Sequence, residues 1–547
     1  MNRSKLSKMI ALFMAISIPL SMGGCMSKPA SSSKVDTSVS MDANGKYKTP
    51  VTVTVGRSQG STLKFSEGES WDNNVYTKSW LNELGIIVKN EWVVPDTQYE
   101  QKLNVAIASG DLPDVIVAPG KQFSNLVEND QTYDLTAVYE KYASPLTKEI
   151  MQQDKLGYNT AFRDGKMMGI PLVSSSMDAC HMIWYRTDWA KKLGISEPKT
   201  MQEVLSMADS FTKKDPDANG KNDTIGMAIT KSFISDGAFG TQGFFAGYHA
   251  YPKTWVKDAS NALVYGSTLP ETKLALKQLQ DMYKSGLLDK EFGVKDGSKV
   301  GETVASGKVG LEFGAMWMPL AEMQKNIDND PNADWKAIEL VSIDNEKAVP
   351  RTSVSVSGYI IVNKNCKNPE AVIKVLNLFN EKNYGKTADN AYGTNKDGIQ
   401  TSLYSPFIDA PVRKNLEAHN KILEALKVKD ASALNSEEKG YYDKIVSFNS
   451  GDRKGWGMSR VFNTPSSYDV IGQYVKENNM LYDGFYGTPT ATMIEKQSTL
   501  DKMEEEVFTK IVMGDSIDSF DKFVTDWKKL GGDQITKEVN DWSAKNK

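Results

Sequence analysis

Short apolar runs alternate with amphipathic segments in the first third of the chain, and this pattern predicts strands alternating with helices. The apolar runs fall at residues 50–55, 86–94 and 114–117. Between the first two, Asp72-Asn73-Asn74 supplies N-cap chemistry for a helix that ends near Gly85. A β-α-β-α-β order predicts a parallel, doubly wound sheet with helices on both faces, and such sheets bind ligands beyond the carboxyl ends of their strands.

The rest of the sequence also predicts strands and helices in alternation. Residues 167–173 and 178–185 are predicted strands, joined to the first third through an Asp164-Gly165 turn. Apolar positions at spacings of three and four residues then predict further helices over 188–193, 201–213, 273–284, 369–380 and 519–530. The apolar stripes of these helices are expected to form core.

The first 24 residues predict an export signal. Three positive charges precede an apolar run over 10–22, which is too short for a comfortable membrane span, and Gly23-Gly24-Cys25 follows. This end resembles a bacterial lipobox, so we expect cleavage after residue 24 and lipidation of Cys25. The alternative is a secreted protein with a chance cysteine. Residues 25–47 lack apolar periodicity and are predicted to be a flexible tether to the membrane.

Composition narrows the class of protein. A chain of 547 residues predicts two or three domains. The net charge of −4 gives no general attraction for nucleic acid. Three His and three Cys make a large His/Cys metal site improbable. With Cys25 lipidated, Cys180 and Cys366 either pair or remain buried thiols, and the sequence leaves both possibilities open.

Several phrases, in order, resemble the extracellular solute-binding proteins of carbohydrate importers of the ABC class. The likeness extends to the large lipoprotein branch that includes alginate-oligosaccharide- and maltodextrin-binding proteins. The phrases are ASGDLPDV (108–115), GKMMGIP (165–171), YRTDWAKKLG (185–194), GKVG (307–310) with Trp317, NPEA (368–371) and the tail 520–542.

The resemblance implies a two-lobed clamp of the type II binding-protein class, with two α/β lobes joined by strands that cross between them. Residues 163–171 and 350–362 would be the first two crossings. Lobe one would comprise residues 48–170 plus 355–430, and lobe two residues 171–354 plus 431–547. The resemblance also implies a monomeric, lipid-anchored protein on the extracellular face of the membrane. Such a protein closes on a carbohydrate, delivers it to ABC permease subunits and needs no cofactor.

Candidate ligand contacts are aromatic and polar residues near the expected cleft. Trp317 stands where the maltodextrin-binding relatives place a stacking Trp; the alternative is a core Trp. Trp71, Asp72 and Asn73 follow the first strand, although Asp72 can also be only a helix cap. Lys121 follows the third strand, where this chain departs from the maltodextrin binders, so maltose specificity is not carried over.

Further candidates lie near the predicted crossings and in loops. Ser175 and Asp178 follow the first crossing. Arg351 opens the second and can donate to hydroxyls or to a uronic carboxylate, or form an interlobe salt bridge. Trp456 and Tyr486 lie in Gly-containing segments predicted to be loops, where the alternative to ligand contact is interlobe packing.

One segment resembles a calcium-binding loop. Asp215, Asp217, Asn219 and Asp223 occupy positions 1, 3, 5 and 9, and Lys221 offers its backbone carbonyl at position 7. Position 12, however, is Gly226 rather than the usual Glu. The sequence leaves open a structural Ca²⁺ site in lobe two and an Asx-rich turn without metal.

Two other classes of function compete with transport. Motifs for phosphate-binding loops, serine hydrolases and zinc proteases are missing. A tethered glycoside hydrolase or lyase needs only two placed carboxylates, however, and the chain has 69 acids. A protein that presents a ligand to a sensor kinase would share the fold. The favoured hypothesis is a non-enzymatic carbohydrate receptor.

Overall fold

A computed structural model describes residues 40–234 and 237–545. The predicted signal peptide, the lipobox with Cys25 and most of the tether lie outside these residues. The strands are β1 (Val51–Gln59), β2 (Ile86–Pro95), β3 (Val115–Ala118), β4 (Phe162–Arg163), β5 (Lys166–Met167), β6 (Ile170–Val173), β7 (Met182–Arg186), β8 (Ile225–Met227), β9 (Trp255–Lys257), β10 (Leu263–Tyr265), β11 (Val309–Gly314), β12 (Trp335–Ile338), β13 (Arg351–Thr352), β14 (Val356–Val362) and β15 (Leu481–Tyr482).

The α-helices lie between and after these strands. They are α1 (Val75–Ser79), α2 (Asp96–Ser109), α3 (Gly120–Glu128), α4 (Thr136–Tyr142), α5 (Pro145–Gln152), α6 (Lys155–Asn159), α7 (Thr187–Leu193), α8 (Met201–Lys213), α9 (Gln242–Ala246), α10 (Pro270–Lys284), α11 (Gly297–Ala305), α12 (Glu322–Asn329), α13 (Pro369–Tyr384), α14 (Lys414–Val428), α15 (Ser436–Asn449), α16 (Trp456–Phe462), α17 (Ser467–Lys476), α18 (Ala491–Met513), α19 (Ser519–Trp527) and α20 (Asp533–Lys545).

The first sheet has the strand order β2-β1-β3-β14-β6. β1 is parallel to β2 and β3, as the β-α-β-α-β pattern predicts, whereas β14 is antiparallel to both β3 and β6. The register of β1 against β2 shifts after Val55. At this point Gly56 lets the Trp92 ring cross the strand, because a Cβ on Gly56 would lie 2.2 Å from it. The sheet is therefore mixed, and the loops that follow the parallel strands β1, β2 and β3 lie at the same edge.

The second sheet has the order β12-β7-β11-β8 and is also mixed. β11 runs parallel to β8 and antiparallel to β7. Helices α16 and α17 belong with this sheet, because Arg460 donates to Asp334, beside β12, and Leu340 donates its amide to the Tyr474 hydroxyl. α14 packs on α15, α16 and α17. The helices α18–α20 cover the other side through α10 and β10.

Three chain passages link the two sheets. The chain leaves β6 for β7 through residues 174–181, returns from β12 to β14 through 339–355, and passes again from the 403–410 loop to α14. The passages are hydrogen-bonded to one another: Ser174 donates to the Ser355 carbonyl, and the Ala410 amide donates to the Val173 carbonyl. We refer to Val173, Ser174, Ser355, Asp409 and Ala410 as the crossover ladder.

The described chain begins docked against the first sheet. Tyr47 is 1% exposed, and its hydroxyl donates to Glu370 on α13 at 2.7 Å. Its amide donates to the Leu84 carbonyl. The chain therefore enters the folded body on the side of α13, at the opposite end of β1 from the loops that follow Gln59. No helix among the described residues has both the length and the apolar character needed to cross a membrane.

Most sequence predictions of secondary structure are confirmed, and two are wrong. α8 has the predicted bounds, and α13 and α10 extend them. The predicted strand over 178–185 begins only at Met182, because Ser176–Ala179 form a 3₁₀ turn. Trp456 does not lie in a loop but opens α16. Close packing requires a glycine at the neighbouring position 455, because a Cβ on Gly455 would lie 2.2 Å from the Lys444 carbonyl oxygen. Cys180 and Cys366 are unpaired buried thiols.

Asp409 in the crossover ladder makes stability depend on pH. Its carboxylate accepts from the Val173 amide at 2.9 Å, but burial raises its pKa to about 7. The unfolded chain releases this proton near pH 4. The folded state therefore binds more protons between about pH 4 and 7, and stability falls as pH rises through that window.

We expect Asp409→Asn to remove this loss. Urea unfolding at pH 4.5 to 7.5 should show the wild type losing stability relative to the variant, on the order of 1–4 kcal/mol. Asp111→Asn, which changes an exposed carboxyl, is the control and should follow the wild type. Parallel curves for the wild type and Asp409→Asn would contradict the assignment.

Candidate functional site

A cavity of about 400 Å³ opens at the carboxyl ends of β1 and β3. The loop after β1, the start of α2 and the 403–408 loop form its walls. Its polar and aromatic lining includes Arg57, Gln59, Trp71, Asp96, Tyr99 and Ser357. The cavity therefore lies where an α/β sheet of this kind offers a ligand site.

Trp71 forms an aromatic wall of the cavity. The Arg57 guanidinium lies 3.9 Å from the centre of its ring. Phe65 meets Trp71 edge to face at 5.1 Å and stacks on Tyr404 at 5.0 Å. Trp71 is half-buried, and its indole N–H points to the Gln59 side-chain oxygen at 3.4 Å. The ring is thus held in place from behind while part of its surface stays accessible.

The Arg57 guanidinium binds groups in the cavity walls and is not directed at solvent. Its guanidinium donates to three consecutive backbone carbonyls, those of Leu403, Tyr404 and Ser405, at 2.7–2.9 Å. Burial lowers the pKa of Arg57 to about 9. Because its donors are directed at carbonyl groups, Arg57 joins the 403–405 loop to the Trp71 ring and fixes both walls of the cavity.

Asp96 provides an unpaired carboxylate beside this aromatic wall. It is exposed at the first residue of α2, and a Cβ on Gly60 would lie 3.1 Å from its Oδ2. Within the described ranges its side chain has no hydrogen bond or ion pair. A free carboxylate and the Gln59 amide beside a fixed indole can satisfy hydroxyl groups and cover an apolar face of the same ligand.

The second sheet places Trp317 just after β11. It is half-buried, and a Cβ on Gly237 would lie 3.8 Å from its ring. The amide of the preceding residue, Met316, donates to the Asp178 carbonyl at 3.4 Å, near the first chain passage. Trp317 therefore lies at the end of β11 that faces the passages.

A third group of aromatics joins the two halves of the molecule. A cavity of about 130 Å³ lies between Gly120, Arg163 and Tyr359 on one side and Tyr486 and Trp542 on the other. Tyr486 packs edge to face on Trp542 at 4.9 Å. The Thr488 methyl lies about 4.0 Å from where a Gly120 Cβ would be. The 486–488 loop thus touches the end of α3 from the other half.

The sequence-predicted residues of the first sheet lie at or near the first cavity. Trp71 lines it, and Asp72 and Asn73 are exposed beside it. The cap of α1 is Asn74 rather than Asp72, since Asn74 accepts from the amides of Tyr76 and Thr77. Lys121 is exposed in the first turn of α3, next to the cavity that holds Tyr486.

The predicted residues near the chain passages differ in exposure. Ser175 is half-buried before the 3₁₀ turn, whereas Asp178 is buried and accepts from Asn415 and Tyr468 at 2.7 and 2.8 Å. Burial raises the pKa of Asp178. Arg351 is half-buried in β13, paired with Leu481. In the part of the chain described, its guanidinium forms neither a hydrogen bond nor an ion pair, so the expected interlobe salt bridge is not formed there.

Trp456 is placed away from these cavities. It is 2% exposed, and its indole N–H donates to Asp334 at 2.9 Å. The alternative to ligand contact was interlobe packing, but Trp456 packs within the second half of the molecule, since Asp334 lies beside β12. The residues that sequence reasoning missed are Arg57, Gln59, Asp96, Tyr99 and Trp542. A usable signal was present for two of them, because Gln59 and Asp96 come after the predicted strands over 50–55 and 86–94, on the side where such sheets bind ligands.

The 215–223 loop forms a compact turn. The Asp215 carboxylate accepts from the amides of Asn219 and Gly220, both at 3.1 Å. The Asn219 amide group donates to Asp217 and Asp223 at 2.7 and 3.1 Å. Over the described residues, no group of three or more His, Cys, Asp or Glu side chains is arranged to hold a metal ion.

Two mixed sheets packed with helices and linked by three chain passages, with a cavity at the carboxyl ends of β1 and β3, define a solute-binding protein of the type II class. The chain belongs to the family described as bacterial extracellular solute-binding protein, whose model matches residues 64–385, more than half of the chain.

Two curated relatives from Bacillus subtilis (strain 168) span most of the chain. Lipoprotein LipO is 26% identical over 489 residues, covering 86% of this chain and 88% of LipO. The polygalacturonan/rhamnogalacturonan-binding protein YtcQ is 25% identical over 457 residues, covering 82% of this chain and 84% of YtcQ. The likeness therefore includes residues beyond the family match.

A solved structure shows the same fold. The HMO-binding, ABC-transporter-associated solute-binding protein from Bifidobacterium longum infantis has a TM-score of 0.63 and 15% sequence identity. The alignment covers 91% of this chain and 99% of that one. At this identity the comparison concerns the fold alone.

The two tryptophans Trp456 and Trp71 should differ in their effect on stability. We expect Trp456→Ala to lower the free energy of unfolding by about 3–5 kcal/mol, because it removes a buried ring and leaves Asp334 without one donor. Trp71→Ala should cost clearly less, since part of its ring is already accessible. Urea unfolding of both variants checks this, and equal losses would contradict the placement.

Proposed function

We propose that the protein is the membrane-anchored, extracellular substrate-binding component of an ABC importer, and that it captures a sugar or oligosaccharide by closure of two lobes. The observation that carries this proposal is the wall formed by Trp71, Gln59 and Asp96. Sugars combine apolar C–H faces with rings of hydroxyls, and this wall offers an indole face next to an amide and a free carboxylate.

The comparisons support a carbohydrate ligand. YtcQ is described as a binder of polygalacturonan and rhamnogalacturonan, and the Bifidobacterium protein as a binder of HMO associated with an ABC transporter. Both are binding proteins. Among the described residues that line the first cavity, Asp96 is the only acid, whereas a glycosidase uses a pair of carboxyls. Binding without cleavage is therefore the better-supported chemistry.

Lobe closure is proposed from the chain passages. The lobes follow the two sheets, and the crossover ladder lies between them. Trp317 and Arg351 would meet the ligand from the second lobe, and Ser175 from the passage itself. A ligand that contacts both lobes binds the closed state more tightly and so shifts the population toward it. The Tyr486–Trp542 pair already touches α3 and would add interlobe contact.

Membrane attachment is proposed through Cys25. The described chain starts on the α13 side of lobe one, fifteen residues after this cysteine. An extended linker of that length reaches at most about 50 Å. The anchor would keep the binding protein near its permease partner while leaving the ligand cavity, at the other end of β1, open to solvent.

We expect a saccharide to stabilise the folded protein and Trp71→Ala to weaken its binding. Calorimetric titration of residues 26–547 against an oligosaccharide panel should find a ligand that also raises the melting temperature by a few degrees. Loss of the stacking face should reduce affinity roughly 10- to 100-fold.

The control variant is Val294→Ala, which removes an exposed apolar side chain far from the cavities. It should leave affinity unchanged. Binding of amino acids or peptides in place of saccharides, or release of shorter saccharides during the titration, would overturn the proposed function.

A structural Ca²⁺ in the 215–223 loop is a second part of the proposal. Asp215, Asp217, Asn219, the Lys221 carbonyl and Asp223 are the groups that would hold it. Burial and the neighbouring Asp215 raise the pKa of Asp217, which indicates crowded carboxylates that a divalent cation would relieve. The Asn219 amide would have to turn its oxygen toward the ion.

The expected outcome is a melting temperature that is a few degrees higher in Ca²⁺ than in EDTA, since an ion bound only by the folded state stabilises it. Asp217→Asn should abolish the difference. Asp209→Asn, a surface carboxyl paired with Lys213, should retain it. The same melting temperature with and without Ca²⁺ in the wild type would favour the Asx-rich turn.

A further inference from the structure

A second cavity adjoins the first on the surface of lobe one. It measures about 410 Å³ and shares Gln59, Gly60 and Asp96 with the Trp71 cavity. We call them the outer and inner cavities. Gln59 and Pro95 are register partners on the parallel strands β1 and β2, so the sheet holds the Gln59 part of the shared boundary in place. The two cavities are therefore adjacent and separated only by these shared residues.

The outer cavity has the mixed lining that a sugar ring requires. Val93, Val94 and Pro95 supply an apolar side, and Ser61 and Thr97 supply hydroxyls. Single cavities of this size fall at the lower end of the range for small-molecule sites, which suits roughly one or two sugar units each. The pair together is sized for a longer chain.

Charge distinguishes the outer cavity. In the described part of the chain, Asp96 is the only charged residue that lines it, and the Asp96 carboxylate has no partner. A carboxylate on the ligand would lie beside Asp96 without a compensating cation, so like charges would oppose binding. Neutral hydroxyls, in contrast, can donate to both oxygens of Asp96.

We infer that the ligand is a linear oligosaccharide that lies across both cavities, with one unit against Trp71 and the next units over Pro95 and Thr97, and that the unit in the outer cavity carries no charge. The inference rests on the proposed function, and it adds the length of the ligand and the position at which an uncharged sugar is required. Asp96 becomes the residue that both units contact.

The test is a calorimetric length series. Neutral oligosaccharides of one to six units, drawn from glucose, galactose, xylose and fructose polymers, are titrated into residues 26–547. Thr97→Trp fills the outer cavity with an exposed side chain, and Ser61→Trp fills it from the opposite side. Thr49→Trp is the matched control, because Thr49 is exposed at the other end of β1.

Affinity in the wild type should rise with length up to at least four units. Thr97→Trp should lower the affinity for the longest ligand at least tenfold and leave the disaccharide within twofold, and Thr49→Trp should change neither. Full affinity at one or two units, or no effect of either cavity-filling variant, would overturn the inference while the proposed function stands. Failure of every saccharide to bind would remove the proposed function itself.

The requirement for an uncharged sugar unit in the outer cavity is tested with trigalacturonate and with the same trisaccharide after reduction of its carboxyl groups. The reduced form should bind at least tenfold more tightly, and Asp96→Asn should narrow that ratio. Equal or tighter binding of the acid by the wild type would overturn the requirement for an uncharged outer unit.

Discussion

The crossover ladder is the constraint on which the arrangement of this molecule depends. Three passages of a single chain meet where Ser174 donates to Ser355 and Ala410 donates to Val173. The Ser355 amide also donates to the buried Asp154 carboxylate at 2.6 Å, which ties the second passage to the start of α6. Under the proposed lobe closure, backbone hydrogen bonds of this kind would fix the lines about which the two sheets rotate while the cavities at the sheet ends open and close.

The ligand wall of lobe one depends on a buried cation in a similar way. The Arg57 guanidinium donates hydrogen bonds to three carbonyls of one loop and lies against the Trp71 ring. A guanidinium suits this position because it is planar, stacks on an indole and presents several donors at once. The protein itself therefore holds the wall in place, and for the proposed ligand this would reduce the entropy lost on binding.

How much the sequence could predict depended on the range of the interaction. Local signals sufficed for α8, for the parallel order of β1, β2 and β3, and for Trp71 at a strand-to-helix loop. Trp456 was assigned to a loop because Gly455 and Gly457 suggested flexibility, whereas both glycines make room for neighbouring backbone. Asp96 and Arg57 were missed because Asp96 shares a cavity with Gln59 and Arg57 binds the 403–405 loop, and only the tertiary structure brings these residues near.

Arg351 and Asp96 are charged side chains that have no hydrogen bond or ion pair in the described part of the chain. Among the arginines in the described ranges, most have their donors occupied; Arg186, for instance, pairs with Asp188 and Asp330, and Arg453 binds three carbonyls. Arg351 is half-buried and has no such partner. Removing part of the hydration of a charge is unfavourable unless something replaces it. Under the proposed function, the half-buried Arg351 and the exposed Asp96 would complete hydrogen bonds of the ligand from the two halves of the molecule.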